Sequence, residues 1–170
     1  MNGPRRIVLT DFDTDDEIAL WGSIDDGVMG GRSRSDLARA APGIARFSGN
    51  VSLANNGGFA SVRTVARAWP TLGATALALR VHADGKTYKF TVRTDDGFDG
   101  VQYQARFTPP AGEWSECVLP ATSFVASFRG RAVAGAPPLD LSRVRALGLM
   151  ISDQQAGPFE LQLDWIAAES

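Results

Sequence analysis

Between Tyr88 and Thr94 the chain alternates: Tyr88, Phe90 and Val92 point one way and Lys89, Thr91 and Arg93 the other, the two-residue period of a strand with one wet face. Val101, Tyr103, Ala105 and Phe107 repeat that pattern against Gln102, Gln104 and Arg106. The run Asp95-Asp96-Gly97-Phe98-Asp99-Gly100 between them has the turn chemistry of a hairpin. Pairing Thr94 with Val101 sets Arg93 opposite Gln102, Thr91 opposite Gln104 and Lys89 opposite Arg106, so the polar faces coincide. This register also puts two cations side by side at Lys89 and Arg106, which calls for an acidic neighbour, solvent or an anionic ligand to offset them.

Further strands are predicted at Ile44 to Phe47, Val51 to Leu53, Phe59 to Thr64, Thr75 to Val81, Trp114 to Leu119, Ala146 to Ile151 and Phe159 to Ile166. In the last of these, Phe159, Leu161, Leu163 and Trp165 form the inward face against Glu160, Gln162 and Asp164. With 18 Gly and 9 Pro spread along the chain, turns recur too often for long helices. One short helix is predicted, where Thr14 and Glu17 form a capping box ahead of Ile18, Ala19 and Leu20. The pattern reads as an all-β, antiparallel sandwich or barrel. No repeat, low-complexity tract or linker interrupts the 170 residues, so residues 1–170 are expected to form one domain.

Composition narrows the class. Hydrophobic residues at 44% and charged residues at 21% exclude a disordered chain and a membrane span. A net charge of −2 gives no global positive field, so a dedicated nucleic-acid binder is not expected. The lone Cys117 can form no intrachain disulfide and no thiolate zinc cluster, which suits a reducing compartment. Ile7, Val8 and Leu9 are too short an apolar stretch for an export signal. The protein is therefore expected to be cytoplasmic.

Candidate chemistry is sparse. The acidic run from Asp11 to Glu17 fails the calcium-loop template, with Asp16 and Gly22 where that template wants Gly and Glu, and reads as a solvated loop at a helix N-terminus. Asp25-Asp26-Gly27-Val28-Met29-Gly30-Gly31-Arg32-Ser33 lacks the context of a phosphate loop and reads as a tight turn whose glycines let two backbones approach. Asn55-Asn56-Gly57-Gly58 is a second turn. His82, at a strand end, reads as a surface or packing residue, and Cys117 as a small core residue. Neither a metal, a cofactor nor a catalytic set is expected. What remains is a polar sheet face: Arg63, Arg80, Arg93, Arg106 and Arg129 with Gln102 and Gln104. Guanidinium forks with amides suit carboxylates, sugar hydroxyls or an acidic protein surface, set against the plainer reading of a solvated sheet.

Several motifs stand out when taken together. They are Asp26-Gly27-Val28-Met29-Gly30-Gly31-x-Ser33, then Phe47-x-Gly49-x-Val51-Ser52-Leu53-x-Asn55-Asn56-Gly57-Gly58-Phe59-Ala60-Ser61-Val62-Arg63. Asp84-Gly85-x-x-Tyr88, Tyr103-Gln104, Glu113-Trp114 and Phe128-Arg129-Gly130-Arg131 follow. Leu147-Gly148-Leu149-Met150-Ile151-Ser152-Asp153-x-Gln155-x-Gly157-Pro158-Phe159 completes the series. In order and combination these pieces resemble the complex I intermediate-associated protein 30 family, and the likeness runs from about Phe12 to Ile166.

The resemblance implies a galactose-binding-domain-like β-sandwich, or jelly roll, with little helix. It also implies a non-catalytic role, since mitochondrial members look like assembly factors that hold intermediates of the respiratory NADH:ubiquinone oxidoreductase. With no transit peptide, this chain looks like a free-standing bacterial member. The expected partner is a protein, with respiratory-complex subunits in view and carbohydrate as the alternative ligand. The candidate binding residues are Asp26, Arg63, Arg93, Tyr103, Gln104, Arg129, Asp153 and Gln155. Two other readings stay open. Asp26, Arg63, Arg129, Asp153 and Gln155 could form an internal network that fixes loops, and a hydrolase would have to draw on Asp25, Asp26 and Asp153.

Overall fold

A computed structural model of the chain describes residues 5–29, 31–97 and 100–170, with only the backbone at 28, 29 and 56. Among these residues the order is β1 (Arg6–Thr10), α1 (Asp15–Ala19), β2 (Trp21–Ser23), β3 (Arg34–Ala41), β4 (Ile44–Val51), β5 (Ala60–Thr64), β6 (Ala76–Ala83) and β7 (Tyr88–Arg93). There follow β8 (Gln102–Phe107), β9 (Trp114–Pro120), β10 (Val125–Phe128), β11 (Arg131–Ala132), β12 (Ala146–Ile151) and β13 (Gly157–Glu169). One sheet runs β3-β4-β13-β6-β9, with β1 also on β13, and the other runs β11-β10-β8-β7-β12-β5-β2. The strands pair antiparallel throughout. The result is a β-sandwich, one of the two architectures that the alternation left open and the one that the family resemblance implied.

The inward faces supply the core. Phe90 and Val92 of β7 and Leu147, Leu149 and Ile151 of β12 meet Phe47 of β4, Leu161 and Leu163 of β13 and Leu77, Leu79 and Val81 of β6, each fully buried. Burying one such side chain stabilises by about 1.5–3 kcal/mol, so the alternation decides which face closes. Phe47 and Phe159 pack with ring centroids 4.9 Å apart, and Tyr88 stands edge-on to both. Tyr88 keeps its hydroxyl satisfied by donating to Asp84 at 3.0 Å. Burial, then the Asp84 charge, pushes that phenol far above its ordinary pKa, so it serves as a donor.

The β7–β8 register is the expected one, with Lys89 opposite Arg106, Thr91 opposite Gln104 and Val92 opposite Tyr103. Phe98 and Asp99 of the intervening turn lie outside the described residues. The capping box also forms: the Glu17 amide donates to Thr14 Oγ1 at 3.3 Å and the Thr14 amide to Glu17 Oε2 at 3.2 Å.

Three expectations are corrected. The strands predicted at Ile44 to Phe47 and Val51 to Leu53 are one strand, β4, because Gly49 does not break it. A Cβ on Gly49 would lie 1.9 Å from the Arg34 carbonyl oxygen, so the glycine is what allows β3 to pair there. Trp165 does not face the core. Leu163 pairs with Val81 and Trp165 with Arg80, so Asp164 is the extra residue of a bulge, and Ile166 takes the inward position opposite Leu79. Trp165 lies on the outer surface beneath the Arg6 guanidinium, 4.6 Å from its ring centroid. Finally, β1, β2, β3, β10 and β11 were not predicted. β3 carries Arg34, Asp36 and Arg39 and buries no residue fully, so it has little apolar alternation to read.

Candidate functional site

Two places gather charged side chains beside serines and glycines. The first is the turn after β2. Asp25 accepts from the Ser35 amide and hydroxyl on β3 at 3.0 and 2.5 Å, and from the Ser61 amide on β5 at 3.0 Å, tying one sheet to the other. Asp26 is 1% exposed. Its carboxylate accepts from the Ser33 amide and hydroxyl at 2.8 and 2.6 Å and from the Gly58 and Phe59 amides at 2.7 and 3.3 Å. Burial works to raise the Asp26 pKa, but the Ser33 hydroxyl and the three amides outweigh it and hold the group below the ordinary carboxylate value. A Cβ on Gly31 would come within 2.3 Å of the Asp26 carboxyl carbon, and one on Gly57 within 2.5 Å of its Oδ2. The glycines therefore admit the carboxylate between two backbones, and Asp26 is a knot in the fold, closed to ligand.

The second place is the outward face of the seven-stranded sheet, which forms a cleft of about 650 Å³. Its floor is set by β12. Gly148 lies directly between Arg63 of β5 and Thr91 of β7, and Ala146 lies beside Arg93. A Cβ on Gly148 would fall 2.1 Å from Thr91 Oγ1, so the absent side chain leaves room for the threonine hydroxyl. Arg63, Lys89, Arg93 and Arg129 line it, and Asp153 is the carboxylate among its described lining residues. Gln102, Gln104 and Ser127 add neutral donors and acceptors on β8 and β10.

The cations are held by particular partners. Arg93, 3% exposed, donates from Nη2 to Asp95 at 3.0 Å and from Nη1 to the Gly100 carbonyl at 3.3 Å. That bond to Arg93 holds Asp95 below the usual carboxylate range. Burial lowers the Arg63 pKa and the nearby Arg93 charge lowers it further, with Asp95 acting the other way. Arg129 enters from the turn between β10 and β11 with φ of 50°, a left-handed conformation uncommon outside glycine.

Asp153 answers the charge problem posed by the β7–β8 register. It accepts from Arg106 Nε and Nη2 at 3.0 and 3.1 Å and from Lys89 Nζ at 3.4 Å, bridging the two like charges. The Arg106 bonds depress its pKa first, against burial, and Lys89 adds to the effect. Asp153 and Gln154 both have positive φ, 61° and 60°. Gln155 holds that loop: its Oε1 accepts from the Thr87 amide at 2.9 Å, and its Nε2 donates to the Thr87 and Ser152 carbonyls at 2.7 and 2.9 Å.

Of the candidate binding residues, Arg63, Arg93, Gln104, Arg129 and Asp153 come together in the cleft. Asp26, Tyr103 and Gln155 do not line it. Asp26 is spent on its own turn and Gln155 on a loop. Tyr103 sits on the inward face of β8, where burial needs its ring and its hydroxyl donates to the Pro137 carbonyl at 2.8 Å. Arg80, grouped with the cleft arginines on strand alternation, belongs to the outer face of the other sheet, paired with Asp164 at 3.2 Å. His82 stands on that same outer face with its ring 5.5 Å from Trp114. Lys89 and Thr91 are cleft residues absent from the candidate set, and Gly148 is the neighbour that makes room for Thr91. A glycine in the middle of the apolar run Leu147 to Ile151 was the available signal for Gly148. Cys117 is half-buried, and burial pushes its thiol pKa up. Among the described residues no group of three or more His, Cys, Asp and Glu converges as a metal site.

The family model for complex I intermediate-associated protein 30 matches residues 10–163. The chain is 30% identical over 167 residues to an uncharacterized protein of Schizosaccharomyces pombe, covering 86% of this chain and 76% of that one. It is 25% identical over 199 residues to the mitochondrial complex I intermediate-associated protein 30 of Neurospora crassa, covering 94% and 71%. Against the same-named mitochondrial protein of Mus musculus it is 33% identical over 94 residues, which is 53% of this chain and 29% of the mouse protein. In fold it is similar to a family 11 carbohydrate-binding module of a Clostridium thermocellum cellulase, with a TM-score of 0.69 at 15% identity over 99% of this chain and 97% of that one. The same module in complex with a β-1,3-1,4-mixed-linked tetrasaccharide gives a TM-score of 0.66 at 16% identity, over 96% and 94%.

Proposed function

The chain belongs to the complex I intermediate-associated protein 30 family, and from that premise we propose that it is a non-catalytic binding protein. It holds a protein partner in the cleft and assists assembly of a respiratory NADH:ubiquinone oxidoreductase-type complex. The observation that carries the reading is the cleft itself, a concave face where, among the described lining residues, Arg63, Lys89, Arg93 and Arg129 stand with Gln102, Gln104 and Asp153, the last engaged by Lys89 and Arg106. Such a set holds a ligand by charge and hydrogen bonds, and the Arg106 bonds that lower the Asp153 pKa make that carboxylate a weak base. The proposal treats residues 1–170 as one domain acting in the cytoplasm. Among the described residues no helix is long and apolar enough to cross a membrane.

The test is affinity capture at native expression with mass spectrometry, run in parallel with Arg129→Glu, which reverses a charge at an exposed turn. Respiratory-complex subunits are expected with the wild type and depleted with the variant. Their absence from the wild-type capture rejects the assembly role.

Fold likeness to modules that bind carbohydrate supports a second reading, a sugar ligand held by Gln102, Gln104 and Ser61. Phe59 is the one aromatic side chain among the described lining residues, so ring stacking on a sugar face has little surface to use. Calorimetry with the mixed-linked tetrasaccharide decides it, and no heat of binding removes it.

A further inference from the structure

Among the described residues β1, β2, β3, β9 and β11 lie at the margins of the two sheets, and all but one of these edges are blunted. β2 and β11 run for only 3 and 2 residues. β1 is broken by a bulge between Val8 and Thr10. On β3 the Ser35 amide is bonded to Asp25 at 3.0 Å, the Ser35 carbonyl accepts from Ser23 Oγ at 2.6 Å, and Arg34, Asp36 and Arg39 put charge along the strand. The remaining edge is β9, 7 residues long, and no described strand pairs beyond it.

The phase of the ladder fixes what β9 leaves open. Arg5 and Ser170 exchange both backbone bonds, so Ser170 and Ala168 turn their backbone groups to β1, and Glu169 and Ala167 turn theirs to β6. Ala76 and Ala78 answer them, which leaves Leu77, Leu79 and Val81 bonded to Leu119, Cys117 and Ser115 of β9. The Ala121 amide, donating to the Thr75 carbonyl at 2.9 Å, continues that series. Glu116 and Val118 therefore aim their N–H and C=O groups away from the sheet, and both residues are exposed.

From this edge we infer that β9 pairs antiparallel with β9 of a second copy of this chain, in the register that sets Cys117 opposite Cys117 of that copy. Glu116 of each copy then exchanges both backbone bonds with Val118 of the other, and two six-stranded sheets become one. Self-complementarity argues for a second copy as the occupant, because a two-fold axis at Cys117 brings each free donor on Glu116 and Val118 to a free acceptor. With the axis at Glu116 instead, two carboxylates would stand directly opposite each other. In the Cys117 register each exposed Val118 lies beside the other copy's Glu116, whose charge is already held by Arg6 at 3.3 Å. The facing cysteines form a pair without direct backbone bonds, about 4.5 Å apart at Cα and within reach of a disulfide. This contact is on the sheet that does not carry the cleft, so it stands or falls independently of what the cleft holds.

Sedimentation velocity of the full chain over the micromolar range tests the inference. The wild type is expected to be a dimer, and a monomer throughout the range overturns it. Val118→Pro deletes a donor that the β6 ladder does not use, so it is expected to keep the wild-type circular dichroism and to run as a monomer. Val118→Glu sets a second carboxylate opposite Glu116 of the other copy. It is expected to weaken the dimer about tenfold, and it keeps the test decisive should Val118→Pro fail to fold. A dimer undiminished in whichever variant folds overturns the inference. Copper-catalysed air oxidation at alkaline pH, where the buried thiol ionises, is expected to cross-link the wild-type dimer through Cys117 and to spare Val118→Pro. A wild-type dimer that stays uncrosslinked, or equal cross-linking of the two proteins, overturns the Cys117 register and the inference with it.

Discussion

In the turn after β2 two carboxylates are enclosed by donors from the chain itself, whereas in the cleft four cations are arranged around a space. The serines and glycines look alike in the two places and act in opposite senses. Gly31 and Gly57 let backbone close onto Asp26 until the carboxylate is saturated with amides and a hydroxyl. Gly148 instead makes room for the Thr91 hydroxyl between neighbouring strands, on the concave face that Arg63 and Arg93 line. A buried charge whose bonds are all internal stabilises a fold, and a charge on a concave face is disposed to act on something that enters it. The comparison therefore separates scaffold from site, although both were read from the same residue types.

The largest expected effect that tests this separation is at the knot. Asp26→Ala removes the acceptor for three amides and a hydroxyl and is expected to cost about 3–5 kcal/mol in a urea titration, while leaving capture of the protein partner near wild type at low temperature. A loss of partner capture in a folded Asp26→Ala protein would merge the two regions into one.

Smaller, and read from pH, is the linkage at the same carboxylate. The folded-state pKa of Asp26 lies below its unfolded value, so its stabilisation is present above about pH 4 and is lost as pH falls through the folded value. Asp26→Asn should remove that contribution and flatten the fall in stability on acidification below about pH 4. Asp95 and Asp153 are also depressed and leave a residual slope. An unchanged acid slope in Asp26→Asn would show that the knot is not held by its charge.

The smallest stability effect is expected at the cleft rim. Asp153→Asn breaks ion pairs that are partly open to solvent and should cost less than about 1 kcal/mol. It leaves Lys89 and Arg106 unbridged at the cleft, so capture of the protein partner should change where stability barely moves. A stability loss as large as that of Asp26→Ala would place Asp153 with the scaffold.

Much of this was legible along the chain. Alternation in Tyr88 to Thr94 and Val101 to Phe107 set the β7–β8 register, because a slip of one residue would turn the apolar set to solvent. The same register demanded an acid near Lys89 and Arg106, without naming it. Thr14 and Glu17 announced their helix because a capping box is local hydrogen bonding. The motif series from Asp26 to Phe159 pointed to the family to which the chain belongs.

Other features depended on residues that meet only in space. A two-residue period says which side of a strand a residue takes, but not which strands become neighbours, so Arg80 was grouped with Arg63 and Arg93 although it lies on the other sheet. The bulge at Asp164 turned Trp165 outward because β6 and β13 fall out of step there, a condition set by pairing rather than by either strand alone. Asp26 and Arg63 both read as polar residues beside glycines. Only the packing of Ser33, Gly58 and Phe59 around the first, and the outward, concave face of the sheet on which the second stands, made one a knot and the other a wall of the cleft. Local pattern governs the face a side chain takes, and the energy of enclosing or exposing its charge is settled by partners distant in the chain.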